Sequence, residues 1–485
     1  MSDNMNRTSN LEAFLKGSTI LIVSNICLKA INFFLLPLYT SYLTPGMLGV
    51  SDTVTTFIGF LLPLLTMGLD SAYSAFYFVK EDPERGKRVF STLSLAFLLL
   101  GLVPLLGFPA AAPLSQLLFQ TREYALVVKF ALASISFNLW YLPFSLELRL
   151  QNRMAAFGLV NVVSSLLMIL LNVLFVTFLH LGEMSLVLST MAVHGVQIFL
   201  YAAFVRRLPK WQETDSVLFG NMMRFAFPLI PMTLMNWVLT LSDRAVILYF
   251  LGDSYVGLYG IGTRFTTMAN VVISAVSTAY TTFAFSNVEN QDAKKQYYYV
   301  FNVVSLMLLF FALSVSLFSK EIIGIMTHSE TYLDSYQALR DLMFAQSLYG
   351  MSTLVGYGIY FKKKTQYSLA AVSAAAVVNL ILNIVFIPKY GYAVAATTTL
   401  IGYLIQLVII YAASEKLYPC DYGMKAIAPL TAVLWLISVI LQESPLLLRC
   451  GVWAVCVAVT IVLFRRILGF MLQFVVSVIA RKQQQ

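Results

Sequence analysis

Residues 222–284 read MMRFAFPLIPMTLMNWVLTLSDRAVILYFLGDSYVGLYGIGTRFTTMANVVISAVSTAYTTFA. Two long apolar runs flank a short turn at Gly252, Asp253 and Ser254. A bilayer core about 30 Å thick takes roughly 20 apolar helical residues to cross, and each run is long enough. Asp243, Arg244 and Arg264 lie inside them. A charge there costs at least ~2.5 kcal/mol on insertion scales, so such residues face a bundle interior or a water-filled path.

The stretch has an echo near the start of the chain. At a shift of 208 residues, Leu43 falls on Leu251, Gly49 on Gly257, Thr55 on Thr263 and Phe57 on Phe265. Lys16 falls on Arg224. Further on, Leu171, Asn172 and Phe175 recur as Leu382, Asn383 and Phe386. Gly182 and Gln197 recur as Gly391 and Gln406. The chain reads as two copies of one unit, as many transporter folds do.

Composition agrees with a membrane protein. Hydrophobic residues make up 59% of the chain and charged residues 11%, against about 25% charged in soluble domains. The polar first residues show no signal peptide. Cys27, Cys420, Cys450 and Cys456 form no paired or metal-spaced set and read as free thiols. His180, His194 and His328 are scattered and suggest no metal site. The net charge of +9 is what a positive-inside topology leaves, and nucleic-acid binding has no basic soluble domain to act through.

Fourteen spans are expected: 13–38, 47–78, 88–108, 124–147, 155–178, 184–205, 220–250, 255–286, 298–318, 336–360, 366–387, 393–414, 425–441 and 446–464. Residues 1–12 form a cytoplasmic N-terminus, 13–205 an N-lobe, 206–219 a polar cytoplasmic linker, 220–414 a C-lobe, and 415–485 two further spans and a C-terminal segment. Most of the 32 lysines and arginines then fall on one side, which places both termini in the cytoplasm. An even number of spans per lobe makes the repeats parallel.

Candidate site residues come from the polar faces. Asp52, Thr56, Gly59, Pro63, Thr66 and Asp70 follow helical spacing along the second span. The same register on the eighth span carries Arg264 and Thr267. Asn25, Lys29 and Asn32 share a face of the first span; Asn236, Thr240 and Asp243 lie on the seventh. Four helices thus carry polar faces, and the simplest geometry sets them around one cleft. Small polar residues also serve plain helix packing, which is the other reading of the stripes. Lys29 and Arg264 lie about a dozen Å or more from the nearer membrane face. Asp243 reads equally as a neutralising partner for Arg244 or Arg264. Glu147, Arg149, Gln151, Asn152 and Arg153 fall at one cytoplasmic helix–loop junction; a solvated loop is the favoured reading and a gate the other. No phosphate-binding Walker A sequence occurs.

Two stretches carry a family resemblance: FLKGSTILIVSNICLKAINFFLLPLYTSYLTPGMLGV (14–50) and FAFPLIPMTLMNWVLTLSDRAVILYFLGDSYVGLYG (225–260). Leu241-Ser242-Asp243-Arg244 and Val256-Gly257-Leu258-Tyr259 are their most specific pieces. They resemble the polysaccharide biosynthesis and export family, the O-antigen (Wzx-type) lipid-linked oligosaccharide flippases of the MATE-like MOP superfamily. The resemblance implies an all-α integral membrane fold of about 14 transmembrane helices. Two parallel-repeat six-helix lobes are followed by two C-terminal helices, and the first, second, seventh and eighth spans line the cleft. It implies a monomeric transporter in the bacterial inner membrane, not an enzyme, carrying an undecaprenyl-pyrophosphate-linked glycan by alternating access. Membrane lipid, a glycan polymerase and chain-length proteins are the implied partners. No cofactor is implied; proton or Na⁺ coupling would fall to Asp70 or Asp243. The competing expectations are a MATE-like cation-coupled exporter, a membrane glycan polymerase or ligase, and a structural membrane partner.

Overall fold

A computed structural model describes residues 34–77, 82, 84–286, 293–327, 329–362, 364–465 and 467; every regular element among them is helical. Contacts divide the chain into two compact units, up to Gly260 and from Ile261. The first holds α1 (Leu36–Tyr42), α2 (Pro45–Thr66), α3 (Leu69–Tyr77), α4 (Arg85–Leu106) and α5 (Ala111–Phe119). It continues with α6 (Ala125–Leu150), α7 (Met154–Val173), α8 (Met184–Val205), α9 (Ser216–Ala226) and α10 (Ile230–Leu251). The helix α11 (Asp253–Ser286) runs through the division. The second unit adds α12 (Ala293–Leu317), α13 (Ser319–Thr327), α14 (Tyr336–Val355) and α15 (Tyr357–Phe361). It ends with α16 (Gln366–Tyr390), α17 (Val394–Leu417), α18 (Met424–Leu441) and α19 (Leu446–Leu463).

Among the described residues, eleven stretches are long and apolar enough to cross a membrane. This is a multi-pass membrane protein. The expected eighth and tenth spans are α11 and α14, which are not among the eleven. The first carries Asp253, Arg264 and many threonines and serines; the second carries Arg340, Asp341 and Gln346. The expected first span, with Asn25, Lys29 and most of its length, lies outside the described residues, as does Asn32.

Two expected spans are broken. The second splits into α2 and α3 at Met67 and Gly68, both at positive φ (49° and 73°). Pro63 lies one turn earlier and weakens the helix by removing a backbone donor. A Cβ on Gly68 would lie 2.9 Å from the Ala226 carbonyl oxygen. The seventh splits at that same neighbour: α9 ends at Ala226, a 3-10 turn covers Phe227–Leu229, and α10 restarts at Ile230. The two breaks therefore touch, and α3 packs on α9.

The repeat reappears in the packing. In the first unit α4 packs on α6, α6 on α8 and α7 on α8. In the second, α12 packs on α14, α14 on α17 and α16 on α17. These are the same steps, third span to fourth, fourth to sixth and fifth to sixth. Matched residues behave alike locally. Gly182 and Gly391 both take positive φ (58° and 83°) before the last helix of their repeat. Asn172 and Asn383 are both buried and hydrogen-bonded, to the Tyr39 hydroxyl (2.8 Å) and to Asn379 (3.2 Å).

Gly49 and Gly257 meet directly, their Cβ sites aimed at each other's helix. A Cβ on Gly49 would overlap the Asp253 carbonyl, and one on Gly257 would overlap the Pro45 carbonyl. Pro45 and Asp253 are themselves 208 residues apart, so the crossing of α2 and α11 is reciprocal. Only glycine lets two helix backbones approach this closely.

Candidate functional site

The first unit holds a cavity of about 220 Å³ between α2, the C-terminal end of α5 and α10. Thr53, Thr56, Phe57 and Phe60 line it from α2, and Trp237, Arg244, Leu248 and Tyr249 from α10. Leu117, Leu118 and Gln120 close the third side. Arg244 is the single charged side chain among these residues. The aromatic wall is fixed: Trp237 stacks at a tilt on Phe60 with centroids 4.8 Å apart, and its indole N–H donates to the Thr56 carbonyl at 3.1 Å. Gln120 bridges to the Tyr249 carbonyl at 3.4 Å. The site is therefore a preformed pocket with one cation and several ring faces.

Helical geometry explains why these residues converge. Trp237 and Arg244 are seven residues apart on α10, two turns along one face. Thr53, Phe57 and Phe60 follow the same rule on α2. Gly59 lets the helices close up; a Cβ there would lie 2.9 Å from a Leu241 methyl.

The expected site residues separate into groups. Thr56 and Arg244 share the cavity. Asp243 points elsewhere: it is buried, accepts a hydrogen bond from the Tyr259 hydroxyl, and accepts the Arg244 amide at 3.2 Å. Asn236 and Thr240 occupy an exposed face of α10. Asp70 lies beyond the α2 break and is exposed, so it no longer continues the stripe begun at Asp52. Arg264 and Thr267 belong to the part of α11 in the second unit, where both are half-buried. Lys29, Asn25 and Asn32 lie outside the described residues.

The stripe hydroxyls and amides mostly turn back on their own helices. Thr56 donates to the Asp52 carbonyl (2.9 Å), Asn236 to Met232 (3.0 Å), Thr240 to Asn236 (2.7 Å) and Thr267 to Thr263 (3.3 Å). Such bonds satisfy the donor locally. Arg244 is the charged residue among those lining the cavity.

Sequence reasoning missed Phe60 and Gln120, and reached Trp237 only as the counterpart of Lys29, without counting it as a candidate. Aromatics within apolar spans look like packing, and Gln120 comes from the connection between two spans. One signal was present: Trp237 falls on Lys29 under the 208-residue shift. Glu147 corrects the expectation of a solvated junction. It is buried and accepts hydrogen bonds from Tyr73, Tyr77 (3.0 Å) and Gln151 (2.7 Å), tying α3 to the end of α6.

A family model described as polysaccharide biosynthesis protein matches residues 14–284. The chain belongs to the polysaccharide biosynthesis protein family. A second model, MatE, matches residues 228–385. Over 174 residues the chain is 26% identical to the probable low-salt glycan biosynthesis flippase Agl15 of Haloferax volcanii. That stretch is 34% of this chain and 36% of Agl15, so the chain spans little more than a third of this relative. Among solved structures, the inward closed conformation of the lipid II flippase MurJ superposes with a TM-score of 0.71 at 16% identity, covering 94% of this chain and all of MurJ's. The inward-facing conformation of a multidrug resistance MATE family transporter of the MOP superfamily gives 0.66 at 17% identity, covering 84% of this chain and 96% of the other. The fold of this family member is thus MurJ- and MATE-like.

Proposed function

We propose that the chain is a flippase that carries a lipid-linked glycan across the membrane. The observation that carries this reading is the α2–α10 cavity, whose charged side chain is a guanidinium set among aromatic rings. A pyrophosphate must shed water to cross, and a membrane-embedded cation replaces part of that hydration. Ring faces suit the apolar faces of sugars. The family, and the glycan and lipid II flippases it resembles, support the same reading. On this account the substrate is an undecaprenyl-pyrophosphate-linked repeat unit of O-antigen, capsule or exopolysaccharide. The chain sits in a bacterial inner membrane with both termini in the cytoplasm, and Lys29 and Arg264 are the further candidate cations for the anionic head. Outward movement of two negative charges in an inside-negative membrane gains roughly 2 × 2.3 kcal/mol per 100 mV. Proton or Na⁺ coupling, if used, falls to Asp243 or Asp70.

A MATE-like exporter of cations is the second reading, favoured by the MatE match. It calls for acidic lining, and the cavity's charge is basic. Vesicles reconstituted with the protein and a fluorescent polyprenyl-pyrophosphate glycan test the proposal. Exposure of the label to a membrane-impermeant quencher should be protein-dependent, and Arg244→Gln should slow it by about tenfold or more, the scale of a charge-assisted contact of roughly 1.5–3 kcal/mol. Arg244→Lys should retain more activity. Uptake of organic cations with no glycan movement would overturn the proposal in favour of the exporter.

A further inference from the structure

The linker between α8 and α9 is built to present an apolar surface. Leu208 and Trp211 are 71% and 76% exposed, although the surrounding sequence, RRLPKWQETD (206–215), is polar. Val217, just inside α9, is exposed as well. The linker is held to the start of α4. The Ser91 hydroxyl donates to Glu213 at 2.8 Å and receives the Lys210 amide at 3.2 Å. The Thr92 hydroxyl receives the Asp215 amide at 3.0 Å. Arg207 is taken up by Glu213 and lies 5.9 Å over the Phe90 ring. Arg206 and Lys210, the bases beside Leu208 and Trp211, are exposed instead. Apolar side chains held outward by this many bonds are positioned, not left over.

Location points to the occupant. The linker begins one residue after a membrane-crossing helix, α8, and ends where the next crossing stretch starts. Phe199, also exposed on α8, lies six residues before its end, about 9 Å along the axis. Exposed apolar side chains thus occur both near the end of the crossing helix and on the linker that follows it. Tryptophan favours the headgroup level of a bilayer. Basic residues there attract anionic lipid, each contributing about a factor of five.

We infer that residues 206–217 form an interfacial lipid-binding segment, with Leu208 and Trp211 inserted at the headgroup boundary and Arg206 and Lys210 contacting anionic phospholipid headgroups. The test uses the full chain in nanodiscs of phosphatidylcholine, with and without phosphatidylglycerol. Trp211 emission, isolated by subtracting a Trp211→Phe variant, should be quenched by lipid brominated near the headgroup and protected from iodide. Arg206→Gln with Lys210→Gln should weaken the preference for phosphatidylglycerol in the first lipid shell on the order of tenfold. Both variants replace exposed side chains, so the fold is retained and thermal unfolding verifies it. Full iodide quenching of Trp211 in nanodiscs would overturn the inference. So would an unchanged phosphatidylglycerol preference in the double variant, or protection of Trp211 in lipid-free detergent through self-association.

Discussion

Asp243 and Arg244 are consecutive in sequence yet have different surroundings. About 100° of helical rotation separates their side chains, sending one to the Tyr259 hydroxyl and the other to the cavity. At this scale the linker carboxylate Glu213 gives a pH prediction. The Ser91 hydroxyl and the pairing with Arg207 hold it below its ordinary value of 4.5. A depressed carboxylate contributes stability that is present above the unfolded value and is lost as pH falls through the folded one. The Trp211 emission maximum, isolated by subtracting a Trp211→Phe variant and read at each pH, should stay constant through the ordinary glutamate range. It should shift only below that range. Ser91→Ala should move the onset upward; an onset that does not move would show that the clasp lies elsewhere.

For helices, the decisive contact is the Gly49–Gly257 crossing. Overpacking a close interface costs roughly 1–3 kcal/mol, occasionally more, and here the obstacle is backbone carbonyl on both sides. Gly257→Leu and Gly49→Leu should each lower the unfolding temperature in detergent. Gly220→Ala is the control: nothing lies within 4 Å of its Cβ position, it sits inside α9, and alanine favours helix by about 1 kcal/mol. It should be neutral or stabilising. Equal losses at all three positions would remove the crossing from the account. The breaks in the second and seventh spans belong to this scale as well. They were not evident from hydropathy, because both halves of each span are apolar. Pro63, Gly68, Pro228 and Pro231 were the available signals.

Across the whole chain, the bias of lysine and arginine supports a topology that remains open to direct test. Cysteines placed at Glu183 and Lys389 should react with an impermeant maleimide from outside intact cells, and one at Lys364 only after the membrane is opened. Labelling of Lys364 from outside would reverse the orientation and turn the linker's lipid surface to the other leaflet.

The all-helical membrane architecture was legible in the sequence because burial in lipid demands long apolar runs, and such runs survive any detail of packing. The repeat was legible too. Positive φ at Gly182 and Gly391 favours glycine, and the crossing at Gly49 and Gly257 leaves no room for a side chain, so the same residue type recurs at the same place in both copies. The stripe logic selected Thr56, whereas Arg244 was singled out only as a charge inside an apolar run. The cavity itself was decided by tertiary structure alone. It needs Gln120 from a connection and Phe60 and Trp237 stacked across two helices. The break at Met67 and Gly68, which takes Asp70 off the face it shared by spacing, is likewise a tertiary feature. Periodicity describes one helix at a time, whereas a binding wall is made where several meet.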